Sequence, residues 1–178
     1  MRLLLLSLIV IIGSSGLSAQ SQFKAAFWNI ENLFDTTNAA LIRDDDFTPS
    51  GKYLWTEERL VKKFQDVSRV IHELDQTNDL AILGLAEIEN KLVLNRLNKD
   101  FIKAGMKMIH KESPDERGID CALLYDSSLV TANSFQFLPI FLAGDEKTRD
   151  IVEAEFSFNH TNENQTLYVF VNHWPSRW

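Results

Sequence analysis

Leu80-Ala81-Ile82-Leu83-Gly84-Leu85-Ala86-Glu87-Ile88-Glu89-Asn90 decides how the rest of the chain is read. Leu80 to Leu85 is a short apolar run of the kind a buried strand requires. Glu87 leaves that strand directly at the start of a helical pattern. Open α/β sheets place ligands and metals just beyond strand ends, so a carboxylate there is a candidate ligand. Its plainer role is to complement the following helix dipole, worth roughly a few tenths of a kcal/mol.

The segment before this strand is amphipathic. Thr56 suits a helix N-cap, Glu57 and Glu58 suit the first turn, and Leu60, Phe64, Val67, Ile71 and Leu74 form one apolar stripe. That stripe predicts a helix packed on the sheet, with His72 and Glu73 turned to solvent. Gln22 to Ile30 reads as a strand, and Glu31 to Trp55, with Asp44-Asp45-Asp46 and Thr48-Pro49-Ser50-Gly51, reads as a loop. A second helix is predicted over Glu89 to Ala104, with Gly105 as its stop. Then the period changes to two. Met106 to His110, Ile119 to Tyr125, Leu129 to Phe137, Ile151 to Phe158 and Leu167 to His173 read as strands, the last two joined by a turn at Asn159 to Gln165. The order β-α-β-α followed by strands predicts a mixed α/β layered domain.

The chain has 178 residues, enough for one domain, and 45% of them are hydrophobic. Residues 1–19 differ in kind: Arg2, a nearly unbroken apolar run from Leu3 to Ile12, then small residues ending at Ala19. This is the three-part pattern of a secretory signal, cleaved near Ala19, which predicts a secreted or periplasmic protein. A membrane anchor is the plainer alternative, but a bilayer span needs about 20 apolar residues. Cys121 is the single cysteine, so no internal disulfide forms and the core alone holds the fold. The formal charge is −7, and Arg2 is the only charge in residues 1–19, so the chain from residue 20 carries −8. Such a chain is not a passive nucleic-acid binder working through a basic surface. It suits an enzyme whose acidic cleft holds a divalent cation that supplies positive charge locally.

Three more polar clusters lie at strand ends. In Phe27-Trp28-Asn29-Ile30-Glu31-Asn32, Asn29 sits where a strand turns into a loop, a position that a turn-capping amide also explains. In Asp115-Glu116-Arg117-Gly118-Ile119-Asp120, followed by Cys121-Ala122-Leu123-Leu124-Tyr125, Arg117 and Asp120 flank a strand entry and would make a local ion pair of little value if nothing else. In Val171-Asn172-His173-Trp174-Pro175-Ser176-Arg177, a His lies between an Asn and a Ser-Arg pair on a Pro-stiffened loop. A lone His after a strand is usually structural, but these neighbours favour anion recognition.

Taken in order, these clusters resemble the endonuclease/exonuclease/phosphatase family, whose members include pancreatic deoxyribonuclease and abasic-site endonucleases. The resemblance runs from about Phe23 to Arg177. It implies a four-layered mixed α+β sandwich, two sheets flanked by helices, over residues 20–178. It implies a metal-dependent phosphodiester hydrolase acting on nucleic acid or another phosphodiester, with Mg²⁺ or Mn²⁺ held by Glu87 and Asn29. Ala86 stands where the family more often has Gln. His173 is implied to bind or protonate a phosphate oxygen, oriented by Asp120 or, second, Glu116. Arg149, Arg177 and Asn172 are implied to hold phosphate oxygens. Family members continue into Gly-Asp-x-Asn and Ser-Asp-His motifs that do not occur here, so the domain reads as partial and this piece as weakly active or inactive. A phosphomonoesterase or lipid phosphodiesterase on the same fold, and a non-catalytic secreted module, are the competing expectations.

Overall fold

The computed structural model describes residues 23–102, 106–142, 147–160 and 165–175. The signal-like segment, Gly105 and Arg177 therefore lie outside the described residues. β1 (Lys24–Leu33), α1 (Glu57–Leu74), β2 (Leu80–Ile88), α2 (Lys91–Asp100), β3 (Met106–His110) and β4 (Asp120–Asp126) are followed by β5 (Val130–Leu138), β6 (Ile151–Phe158) and β7 (Thr166–Val171). One sheet has the order β1-β2-β4-β3 and the other β5-β6-β7. β1 and β2 run parallel with α1 between them in sequence, and every other pair is antiparallel.

Alternation along the central strands builds two cores. Leu83, Leu85, Ala122 and Leu124 face the helices and meet Leu60, Phe64, Val67 and Ile71 of α1 and Val93, Leu94 and Leu97 of α2. Ile82, Ala86, Cys121 and Leu123 face the second sheet and meet Val130, Val152, Ala154, Phe156 and Val171. The result is the expected two-sheet sandwich flanked by helices. Among the described residues three layers are built, helices, sheet and sheet. Thr56 and Asn90 cap the two helices, their side chains accepting from Arg59 N and Val93 N. The expected stripe on α1 holds for its first four members. Leu74, at the last position, is 38% exposed because the helix overhangs the core there. α2 begins at Lys91 rather than Glu89, since β2 continues to Ile88 and Asn90 is the cap.

Glu89 is buried between strand and cap beside the 34–55 loop. Its carboxylate accepts from the Asp35 N–H. Asp44, also buried, lies close enough to share a hydrogen with it. Burial pushes the Glu89 carboxyl up to about 8 from its ordinary 4.5, the Asp35 N–H opposes this, and the Asp35 and Asp44 charges add to it. A raised folded-state pKa means the native state holds the proton longer than the unfolded chain. The contribution to stability is whole below about pH 4.5 and is lost as pH rises through about 8. Glu89→Gln should flatten that slope in urea unfolding followed from pH 5 to pH 9; an unchanged slope would place the titration elsewhere.

β7 packs against β2 at a position where β2 has no side chain. A Cβ on Gly84 would lie 2.9 Å from Val171 Cγ2 and 3.2 Å from Phe27 Cδ2. Gly84→Ala should therefore cost about 1–3 kcal/mol in denaturant unfolding. Adding Val171→Ala should return part of that loss, and strict additivity of the two would mean the strands do not touch there.

Candidate functional site

β1 and β2 end side by side, and both become irregular at the same level. Asn29 pairs with Ala86 and Leu33 with Ile88, so three residues of β1 face one of β2. Glu31, Asn32 and Glu87 take up this mismatch with φ of 56°, 59° and 64°, values that L side chains seldom adopt. The conformation re-aims the Glu87 carboxylate along the strand ends. Oε1 accepts from Asn29 Nδ2 at 3.0 Å and Oε2 from Asn32 N at 2.9 Å. Asn29 is fixed in turn, since its Oδ1 accepts from Glu31 N at 2.9 Å.

His173 arrives from the other sheet, two residues beyond β7. Its Nε2 lies 3.3 Å from Asn29 Nδ2 and 3.5 Å from Glu87 Oε1. Burial holds its pKa below the ordinary 6.5, the Arg149 charge adds to this, and Glu87 opposes it, so the ring is neutral at pH 7. Its Nδ1 is buried with no partner among the described residues. Asn29, Glu87 and His173 thus converge, as their positions at strand ends predict.

The other expected residues fall differently. Asp120 does not orient His173: its Oδ1 accepts from Ser113 N at 2.9 Å and its Oδ2 lies 3.2 Å from Nε2 of His110, whose side chain is buried. Glu116 pairs with Arg43 at the surface, 2.6 Å away. Arg149 is buried, donating from Nε to the His173 carbonyl at 2.6 Å and from a terminal nitrogen to Asp115 Oδ2 at 2.9 Å. Asn172 donates to the Phe170 carbonyl at 3.4 Å. His110 at the end of β3, Asp120 at the start of β4 and Glu112 in the segment between them offer donor atoms within 4.8 Å of one another, a mixed nitrogen and oxygen set.

Sequence reading passed over Glu31 and Lys63. Lys63 Nζ donates to the Glu31 carbonyl at 3.1 Å. Burial lowers its pKa, while the Glu31 and Glu87 charges resist that. Alternation from Asn29 to Glu31 is the one sequence signal that pointed to Glu31; Lys63 stands beside an apolar stripe and carries none. The two carboxylates already draw a cationic group toward them, and both are hard oxygen donors. This donor set fits a divalent cation such as Mg²⁺.

A sequence profile of the Endonuclease/Exonuclease/phosphatase family matches residues 24–178. The chain belongs to that family. No curated protein matches the sequence. Among solved structures, the chain is similar to a family protein from Bacteroides thetaiotaomicron at 15% identity, covering 82% of this chain and 46% of that one with a TM-score of 0.48. It is similar to the human Nocturnin catalytic domain with bound sulfate at 16% identity, covering 84% and 49%, TM-score 0.47. A conserved protein of unknown function from Enterococcus faecalis V583 matches at 14% identity, covering 84% and 51%, TM-score 0.49. The chain spans about half the length of these structures. The family is one of hydrolases acting on phosphoester bonds. No helix among the described residues is long and apolar enough to cross a membrane.

Glu31, Asn32 and Glu87, the positive-φ residues at the strand ends, store strain of about 1–3 kcal/mol each. Glu87→Gly removes strain and carboxylate together, whereas Glu87→Ala removes only the carboxylate. Glu87→Gly should therefore be the more stable of the two by about 1 kcal/mol in urea unfolding. Equal stabilities would mean that the bulge relaxes once the carboxylate is gone.

Proposed function

We propose that the protein is a secreted, divalent-metal-dependent phosphodiester hydrolase of nuclease type. The observation that carries this reading is the convergence of Asn29, Glu87 and His173, one acidic, one amide and one neutral imidazole group, on a single point at the strand ends. A phosphodiester is an anion that repels the incoming oxygen nucleophile, so turnover needs charge neutralisation and aimed hydrogen bonds. Mg²⁺ or Mn²⁺ held by Glu87, with Asn29 and Glu31 around it, supplies the neutralising charge when bound. Asn29 holds the Glu87 carboxylate in place through its amide, and Lys63 balances the acidic pair from the α1 side. His173, neutral and with Nε2 facing the site, is placed to exchange a proton or hydrogen bond with a phosphate oxygen. Asn172 and Arg177 are assigned to the outer phosphate oxygens. Arg149 acts through His173.

The test is hydrolysis of bis(p-nitrophenyl) phosphate and of DNA by the protein from its complete reading frame, with Mg²⁺, with Mn²⁺ and after chelation. Chelation should abolish turnover, and Glu87→Gln should lower it by about 100-fold or more. Turnover that survives both would overturn the reading. A clear preference for p-nitrophenyl phosphate over the diester would replace it with a phosphomonoesterase.

A further inference from the structure

The segment between β3 and β4 carries more fixed polar groups than the site described so far uses. We propose that Asp115 and Arg149 are a positioning pair that sets the place of His173, with neither of them touching substrate; this deepens the phosphoester-hydrolase reading and rests on it. β7 ends at Val171, so His173 lies beyond the ladder. Its carbonyl is held by Arg149 Nε at 2.6 Å. The guanidinium is held in turn by Asp115 Oδ2 at 2.9 Å, with side-chain exposures of 4% and 6% for the pair. With only 4% of its side chain exposed and two of its nitrogens already committed, the guanidinium offers an arriving phosphate almost no surface.

Asp115 is itself immobilised. Its Oδ1 accepts from Arg117 N at 2.9 Å and its carbonyl from Gly118 N at 2.9 Å. Gly118 has φ +66°, and a Cβ there would lie 2.4 Å from Ile42 Cγ2, so the turn closes against the 34–55 loop only with glycine. Asp120 pins the base of the same segment through Ser113 N, while its other oxygen faces the buried side chain of His110. The route runs from the strand core through Asp115 and Arg149 to the His173 main chain, every contact made by a named group. Burial makes the pair stiff, because removing one partner strands the other's charge away from water.

The experiment uses the protein from its complete reading frame, with Mg²⁺ and a diester substrate. Asp115→Asn and Arg149→Ala should each lower kcat by about 10- to 100-fold while KM stays within about twofold. Guanidinium chloride at millimolar concentration should restore kcat in Arg149→Ala, and the same concentration of sodium chloride should not. In a His173→Ala background, Arg149→Ala should cost little more, because its effect passes through His173. A rise in KM with kcat intact, or an undiminished loss in the His173→Ala background, would overturn the proposal in favour of direct phosphate contact. Should Arg149→Ala fail to fold, Asp115→Asn, which keeps the size and the acceptor, carries the test. Nitrogen NMR of the imidazoles separates the two readings. The His173 ring signals should move in Asp115→Asn whether or not the protein turns over diester, and unmoved signals would overturn the positioning role alone. Absent metal-dependent turnover in the wild type would sink the functional reading alone.

Discussion

One carboxylate organises the functional end of this fold. Glu87 collects an amide from Asn29 and a backbone N–H from Asn32, and it can do so only because its backbone is left-handed. A regular β2 would have sent its side chain to one face of the sheet, into a core. The bulge sends it along the strand axis instead, into the gap between the ends of two parallel neighbours. Glu31 and Asn32 share the distortion on β1, so the strain is spread over both strands. Strain persists only where the surroundings over-determine it, and here the two carboxylate oxygens bind both strands together.

The other half of the site depends on packing between layers. β2 and β4 are buried on both faces and work as the central slab, helices on one side and the second sheet on the other. Gly84 lets β7 sit close against β2, and that closeness brings the chain after Val171 to the level of Asn29 and Glu87. The buried Arg149 then fastens the His173 main chain where the strand has stopped. Electrostatics follow from the same geometry: burial and the guanidinium hold the imidazole's pKa down, and the Glu87 charge opposes them.

Much of this was legible in the sequence because it rests on short-range pattern. The α1 stripe, the apolar run of β2 and the five later strands follow from periodicity, and the ends of those strands located Asn29, Glu87 and His173. Boundaries slipped where polar residues continued a strand, as at Glu31 to Leu33. Partner choice was not legible. Asp120 and Glu116 lie near His173 in residue type and motif, yet register places Asp120 against His110 and surface geometry places Glu116 against Arg43. Arg149 is a phosphate ligand by chemistry and a buried strut by location, and only the fold separates those roles. The left-handed backbone at Glu87 carried no glycine to announce it.

His173 belongs to one sheet, and Asn29 and Glu87 belong to the other. Their separation is therefore a measure of the spacing between two layers, set by interior side chains such as Val171 and by the missing one at Gly84. Interior positions of a sandwich usually drift freely as long as volume is conserved. Here the same positions act as a shim beneath Asn29, Glu87 and His173, so substitutions that leave the protein folded can still move those three groups apart. The hydrophobic core of this sandwich therefore sets a distance at the surface as well as the stability of the fold.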